Sequence, residues 1–467
     1  MSRWHRGKSR MEIRCPIHGL IKYQPEEERL VNSHVIQRLR GIHQLAMAYL
    51  VYPGCQHTRF EHSIGVMHVA DKMGEQLGLK EQERRIVRLA GLLHDCGHGP
   101  FSHVSEQLLE KLTEKVPNGV QREKLHEQIT WDIIRNSKEI ASVLSRDDVS
   151  AIVEVLDTAH SPQRTVMQDI ISGRLDADKL DYLLRDSYYA GVKYGVFDLD
   201  RVIASLCRID MGGGEEQVGI REEGIYTVEQ MILARYHMGA QVYYHRVRAI
   251  TDAMIVKGLM VAVKEGSTEI KKLYDYDAAN LQAFLDRYLG YGDHRIANQV
   301  MAMPDGSLAK EFFGRLMQRR LLKQVMRIAT TTQLCDAVAL QKLVDSVRKD
   351  GDRAEHERDL SRELGVREGL VIVDYQSMKN PTYRVPGPVL TKEDIVVLTE
   401  SGDRQAFNTV SQIFSERVAD PQRNYLCVYA PVDIEDRTER ASRVSKMQEA
   451  VKKHFGIRLK EKSNGCN

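Results

Sequence analysis

A histidine–aspartate pair at the end of an apolar helical stripe constrains this chain more than any other feature. Ile86, Leu89, Ala90 and Leu93 recur at helical spacing and make one apolar face. His94 and Asp95 follow directly, and the helix is expected to end near Gly97. His94 lies four residues after Ala90, so it sits along the same buried stripe. Burying an imidazole beside a carboxylate is costly unless something pairs with both. A bound cation does so. The chain is therefore expected to fold as helices wrapped around a polar, metal-holding interior.

The rest of the text agrees with a mainly α fold. Leu39, Ile42, His43 and Ala46 recur at helical spacing. Residues 168–187 and 227–260 read as two further helices. The second is expected to start at Thr227, with Gln230 completing a capping box. Residues 12–23 (EIRCPIHGLIKY) read as a short hairpin turning at His18-Gly19, and 211–226 (MGGGEEQVGIREEGIY) as a glycine-turned hairpin or loop. Composition changes after about residue 340. A charged helix (347–364) precedes a strand-like run (369–375, GLVIVDY) and Pro-rich text (380–390). Strand-like runs at 395–399 and 425–431 and a helix over 436–456 follow. The expected organisation is an N-terminal segment (1–30), a helical core (31–340) and a small C-terminal α+β lobe (341–467).

Charge narrows the function classes. The 467 residues carry a net charge of only +2, which argues against a dedicated nucleic-acid coat. The basic ends, residues 1–10 and 452–462, read as solvated tails. No run of 18 apolar residues implies a membrane span, and the N-terminus has no apolar signal core. Seven scattered cysteines, none in a CxxC pair, fit free thiols in a reducing cytoplasm.

The chemistry concentrates in two segments, HTRFEH at 57–62 and GLLHDCGHGPFSH at 91–103. His62 and Asp178, the latter in a helix studded with charge, complete a ligand set with His94 and Asp95. Imidazole plus carboxylate suits a borderline divalent metal, whereas oxygen-only sites suit magnesium or calcium. Such a set leaves room for water, as a catalytic site requires. His57, His98, His103 and His126 cluster near the dyad, and Gly97, Gly99 and Pro100 break the helix so that the chain can wrap a site.

Segments 37–45 (QRLRGIHQL), 57–62, 94–103, 126–128 (HEQ) and 176–186 (DADKLDYLLRD) resemble the HD-domain dNTP triphosphohydrolases. The nearest pattern is the catalytic core of the sterile-alpha-motif and HD-domain dNTPase and its bacterial relatives. The resemblance is good over about residues 12–260 and loose beyond. It implies an HD-domain helical core and roles for individual residues. His62, His94, Asp95 and Asp178 match the metal ligands; imidazole and carboxylate are compatible with iron, manganese, zinc or cobalt, and magnesium is a candidate companion of the phosphates. His98 and His126 match contacts to the α-phosphate. His103 matches the general acid, with Glu106 one turn on to hold it in its proton-donating form. Arg59, Lys179, Tyr182 and Arg235 match phosphate contacts. Gln44, Leu45 and Asp186 match the wall that meets sugar and base, and Tyr243 the ring that packs on the sugar.

Departures from the family pattern accompany these matches. Gly239 stands where the family has a histidine, and Tyr244 where it has a glutamine. At the nucleotide-sensing site, Asn32 and Arg14 replace an acid and an asparagine, while Gln37 and Arg40 are kept. An asparagine cannot accept both guanine N–H groups, so allosteric control by a second nucleotide is expected to be weaker or different. The family also implies a homo-oligomer, dimeric, tetrameric or hexameric. The expected reaction is conversion of a dNTP to a deoxynucleoside and inorganic triphosphate. Two other readings stand beside it: a nuclease or phosphodiesterase with the same metal chemistry, and a nucleotide-binding regulator without turnover. With aromatics at only 6%, the stacking platform of a single-strand binder is not favoured.

Overall fold

The computed structural model describes residues 11–116, 120–121, 124–161, 164–329, 337–378, 390–391, 394–414 and 423–457. The basic extreme N-terminus, residues 458–462 of the basic C-terminal run, and all of the Pro-rich segment but Leu390 lie outside them. The chain divides into two compact units. The first comprises residues 1–243, 271–296 and 382–419, and the second 244–270, 297–381 and 420–467. The division thus runs through 341–467 rather than around it.

The first unit opens with the expected hairpin, β1 (Glu12–Cys15) and β2 (Gly19–Lys22), paired antiparallel. Gly19 adopts a φ of +72°, the left-handed conformation the turn needs. Helix α1 (Arg59–Gln76) starts with a capping box between Thr58 and Glu61. Helix α2 (Glu81–Leu93) carries the stripe, and Ile86, Leu89, Ala90 and Leu93 are all buried. The two helices pack closely at Gly91, where a Cβ would lie 3.1 Å from the Met67 backbone. Helices α3 (His103–Leu112) and α4 (Leu125–Asn136) follow.

The stretch read as one helix over 168–187 is two. Val166–Ser172 ends at Gly173, and α5 (Ala177–Ala190) starts afresh with the Asp176 side chain accepting from Lys179 N. The reading over 227–260 is also corrected. Helix α6 spans Ile225–Met238, a π-turn occupies Gly239–Tyr243, and α7 (Arg246–Lys264) belongs to the second unit. Thr227 lies inside α6, and the Gln230 side chain accepts from Asp198 N instead of closing a capping box. Apolar periodicity continues through both interruptions and so conceals them.

Strands β3 (Leu206–Gly212), β4 (Glu215–Arg221), β7 (Val396–Leu398) and β8 (Arg404–Ala406) form one sheet of the first unit, in that order. The 211–226 text therefore contributes a hairpin. Strands β5 (Lys323–Ala329), β9 (Arg423–Ala430) and β6 (Ile372–Met378) form the sheet of the second unit, with β9 central. Its core gathers Val325, Leu360, Val373, Val428, Met447 and Val451 from those strands and from helices Asp350–Glu363 and Arg437–His454. No helix among the described residues is long and apolar enough to cross a membrane. The five described cysteines are free thiols.

One half-buried histidine gives the fold a signed response to acid. His68, on α1, is pushed down from 6.5 to about 4 by burial and by neighbouring His18, Lys72 and Arg88, against the pull of Asp71. A depressed histidine is neutral in the folded state and takes up its proton more readily when unfolded. Its stabilising contribution is complete above pH about 6.5 and is lost as the pH falls toward about 4. Urea midpoints are expected to drop across that window, and His68→Gln to flatten the drop. An identical slope in the variant contradicts this assignment.

Candidate active site

The site is built where α1, α2 and α5 meet, all within the first unit. The buried His62 of α1 points its Nε2 to within 3.0 Å of Asp178 Oδ1 and 3.7 Å of Asp95 Oδ2. His94 Nε2 is 3.3 Å from Asp95 Oδ1 and 3.8 Å from Asp178 Oδ1. The four residues singled out as a ligand set are thus brought together. His94 Nδ1 is 2.7 Å from Gly91 O and serves as donor to it. That leaves His94 Nε2 a buried nitrogen without a hydrogen-bond partner. Buried polar atoms are normally satisfied, so this one favours an electrophile in the cleft. His62, His94 and Asp178 place one ligand atom each within 4.8 Å of one another, which fits a divalent cation.

Electrostatics prepare the carboxylates. Burial alone would raise Asp95, but Arg59, His94 and His98 outweigh it and hold the carboxyl well below its ordinary range. Burial likewise opposes ionisation of Asp178, yet the bond from His62 and the nearby His94 bring it to about 2. Burial would lower His62, but Asp178 and Asp181 raise it to about 10. Without a cation, that imidazole therefore holds a proton which a metal ligand must release.

A second cluster adjoins the first. Glu106 Oε1 is 2.8 Å from His103 Nδ1, 3.3 Å from His98 Nδ1 and 3.9 Å from His126 Nδ1. His98 and His126 stack with ring centroids 4.9 Å apart. Burial, aided by Arg59, pushes His98 down to about 3, so it is neutral near pH 7. Burial also lowers His126. Glu106 lies well below its ordinary value, because His103, His126 and His98 overcome its burial. His103 alone of the three imidazoles is well exposed, with 62% of its side chain accessible.

The loop between α2 and α3 carries strain. Phe101 and Ser102 have φ of +64° and +55°, and neither is glycine. The surroundings hold it at every step. Arg38 donates to the carbonyls of Cys96 and His98, and Tyr288 OH to that of Gly97. Arg59 Nε donates to Ser102 Oγ, which itself donates to His43 O. Asp293 accepts from Phe101 N at 2.6 Å and from His43 N and Nδ1 at 3.0 and 2.8 Å. Removing a buried carboxylate that satisfies three donors is expected to cost about 2–3 kcal/mol. Asp293→Ala should therefore lower the urea midpoint, and an unchanged midpoint would show that the loop holds itself.

The remaining candidates line the neighbouring wall. Arg59 Nη1 bonds Asp95 Oδ2 at 2.5 Å, while its Nη2 is buried without a hydrogen-bond partner. Lys179 Nζ donates to Asp176 and to Gly173 O, so it is engaged locally. Arg235 is near enough to Tyr182 to oppose the rise that burial imposes on its hydroxyl. Tyr182 and Tyr243 meet edge to face at 6.1 Å. Tyr243 OH donates to Asp186 Oδ2 at 2.7 Å, and His57 Nε2 is 2.7 Å from Asp186 Oδ1. Gln44 N donates to His57 O, which brings Gln44 and the buried Leu45 to this wall. Gln44 Oε1 is buried without a partner. Gln37 and Arg40 bond each other, and Arg40 lies over the Phe60 ring.

Sequence reading assigned no role to Asp181, Asp293 or Ser102, and it grouped His57 with the histidines near the dyad, whereas the structure pairs His57 with Asp186. Asp181 had a signal, because it lies one helical turn after Asp178. Asp293 had none, being about 190 residues from the loop it holds.

Comparison with known proteins supplies the remaining context. Residues 59–186 match the HD domain, and residues 197–455 match the HD associated region. An uncharacterised protein of Methanocaldococcus jannaschii is 35% identical over 273 residues, 58% of this chain and 54% of that protein. The deoxynucleoside triphosphate triphosphohydrolase SAMHD1 of Danio rerio is 28% identical over 71% of this chain and 57% of its own. The chain spans about half the length of the curated relatives it matches. A hypothetical protein of Aquifex aeolicus has a similar solved structure, with a TM-score of 0.67 and 25% identity over 94% of this chain and all of the other.

Proposed function

The chain belongs to the family of HD-domain proteins that carry an HD-associated region, and we propose that it is a metal-dependent phosphohydrolase converting a deoxynucleoside triphosphate to a deoxynucleoside and inorganic triphosphate. One observation carries the reading: the His62–His94–Asp95–Asp178 set, with an orphaned His94 Nε2, adjoins a separate cluster of three imidazoles around one carboxylate. The first suits a divalent transition metal (iron, manganese, zinc or cobalt), and the second suits proton transfer and oxyanion contact. A metal held by the first would supply Lewis acidity toward water and a sink for phosphate charge.

The chain's own residues do the rest. His98, neutral because buried, and His126, lowered by its partial burial, contact the α-phosphate. Arg59, Lys179, Tyr182 and Arg235 neutralise and align the polyphosphate, with magnesium as its counter-ion. Glu106 accepts from His103 Nδ1 and so leaves Nε2 for the reacting atoms. His103 gives its proton to the departing 5′-oxygen as water adds to the α-phosphorus. Asp186, held from both sides by His57 and Tyr243, meets the sugar with Tyr243, and Gln44 and Leu45 face the base.

The partner proposals follow from the resemblance carried by the sequence motifs. A homo-oligomer is proposed, dimeric, tetrameric or hexameric, acting in the cytoplasm. A second nucleotide is proposed as an activator at the sensing positions Arg14, Asn32, Gln37 and Arg40, where Arg40 bonds Gln37. Burial and the neighbouring Arg440, Arg319 and Arg246 push Lys323 of the second unit down, against the pull of Asp433.

A substrate panel tests the reading. Each dNTP and NTP, singly and mixed, and single-stranded DNA and RNA are incubated with Mn²⁺, Mg²⁺ or a chelator. Loss of dNTP that stops with chelator is expected. Cleavage of oligonucleotides alone would mean a nuclease, and binding without turnover a regulator.

A further inference from the structure

Behind the metal ligands lies a buried ion cluster that the proposed reaction does not use. Asp181 is fully buried and is held by three side chains, Arg185, His62 and His18. Arg185 grips it through Nε and Nη2, each at 2.8 Å. His62 Nδ1 meets its Oδ2 at 2.8 Å, and His18 Nε2 meets its Oδ1 at 2.6 Å. The backbone is built around this cluster. At Gly65, on α1, a Cβ would lie 1.9 Å from Asp181 Oδ1 and 2.3 Å from Arg185 Nη2, so only glycine admits the pair. The N-terminal hairpin closes the far side: His18 lies in its turn, and Cys15, at the end of β1, accepts from Arg185 Nη2.

A carboxylate gripped by a guanidinium accepts and does not donate, so both imidazoles facing it must donate. His62 is thereby fixed with its proton on Nδ1, and its Nε2 faces Asp178 and Asp95. We infer that His18, acting through Asp181, is a positioning residue for the metal ligand His62, so that the N-terminal hairpin sets the affinity of the metal centre. The inference rests on the metal-binding reading above. Groups that orient a ligating imidazole contribute about 10–100-fold to metal affinity.

Metal affinity of the full chain tests this without reference to any substrate. Wild type, His18→Ala, His18→Gln and Asp181→Asn are stripped, reloaded with Mn²⁺ or Co²⁺, and titrated against a chelator, with bound metal counted by elemental analysis. Far-ultraviolet circular dichroism confirms folding. His18→Ala is expected to weaken binding by about 10-fold or more. His18→Gln keeps a donor and is expected to regain most of the loss, with a Co²⁺ visible spectrum like that of wild type. Wild-type affinity in His18→Ala overturns the inference. So does equal loss in both His18 variants, because hairpin packing would then be responsible. Should His18→Ala fail to fold, His18→Gln with wild-type affinity beside Asp181→Asn with weakened affinity supports the relay, and any other pattern overturns it. A wild-type chain that binds neither metal removes the metal-binding reading itself, an outcome distinct from failure of the variants.

Discussion

Asp95→Asn is expected to abolish turnover of deoxynucleoside triphosphates, by about 10³-fold or more. The substitution keeps size and one acceptor but removes the charge that Arg59, His94 and His98 surround. A metal centre supplies several kcal/mol of transition-state stabilisation, and each 1.36 kcal/mol is tenfold in rate. Bound metal is expected to fall in parallel, and excess Mn²⁺ to rescue little. The check is steady-state turnover beside metal content. Full activity in Asp95→Asn would remove the metal centre from the mechanism.

His103→Ala is expected to lower kcat by about 10²–10⁴-fold, the usual contribution of a positioned acid, with KM nearly unchanged. His103 touches Glu106 and is otherwise well exposed, so truncation leaves the packed cluster of His98 and His126 standing. Metal content should stay at the wild-type level, which separates this loss from that in Asp95→Asn. A substrate carrying a good leaving group in place of the nucleoside should recover much of the rate, because it needs no proton. A variant with wild-type kcat would leave the acid to be sought elsewhere.

Local signals in the sequence proved legible and distant ones did not. The hairpin at His18-Gly19 and the stripe of Ile86, Leu89, Ala90 and Leu93 follow from turn chemistry and periodicity, and both are present. The split at Gly173 and the π-turn at Gly239–Tyr243 escaped notice, because the apolar pattern runs through them unchanged. The pairing of β7 beside β4 joins residues nearly 180 apart, and no local pattern encodes that. In the site, His62, His94, Asp95 and Asp178 could be grouped from residue type, and the structure places them together. Their support could not be read, since Asp293 and His18 act over long separations through single side chains.

The most direct test of the account is hydrolysis of a dNTP in H₂¹⁸O, with products weighed by mass spectrometry. Attack on the α-phosphorus with loss of the nucleoside predicts one ¹⁸O in inorganic triphosphate and none in the deoxynucleoside. Label in a nucleoside monophosphate, in pyrophosphate or in orthophosphate would place the cut at another bond and contradict the account.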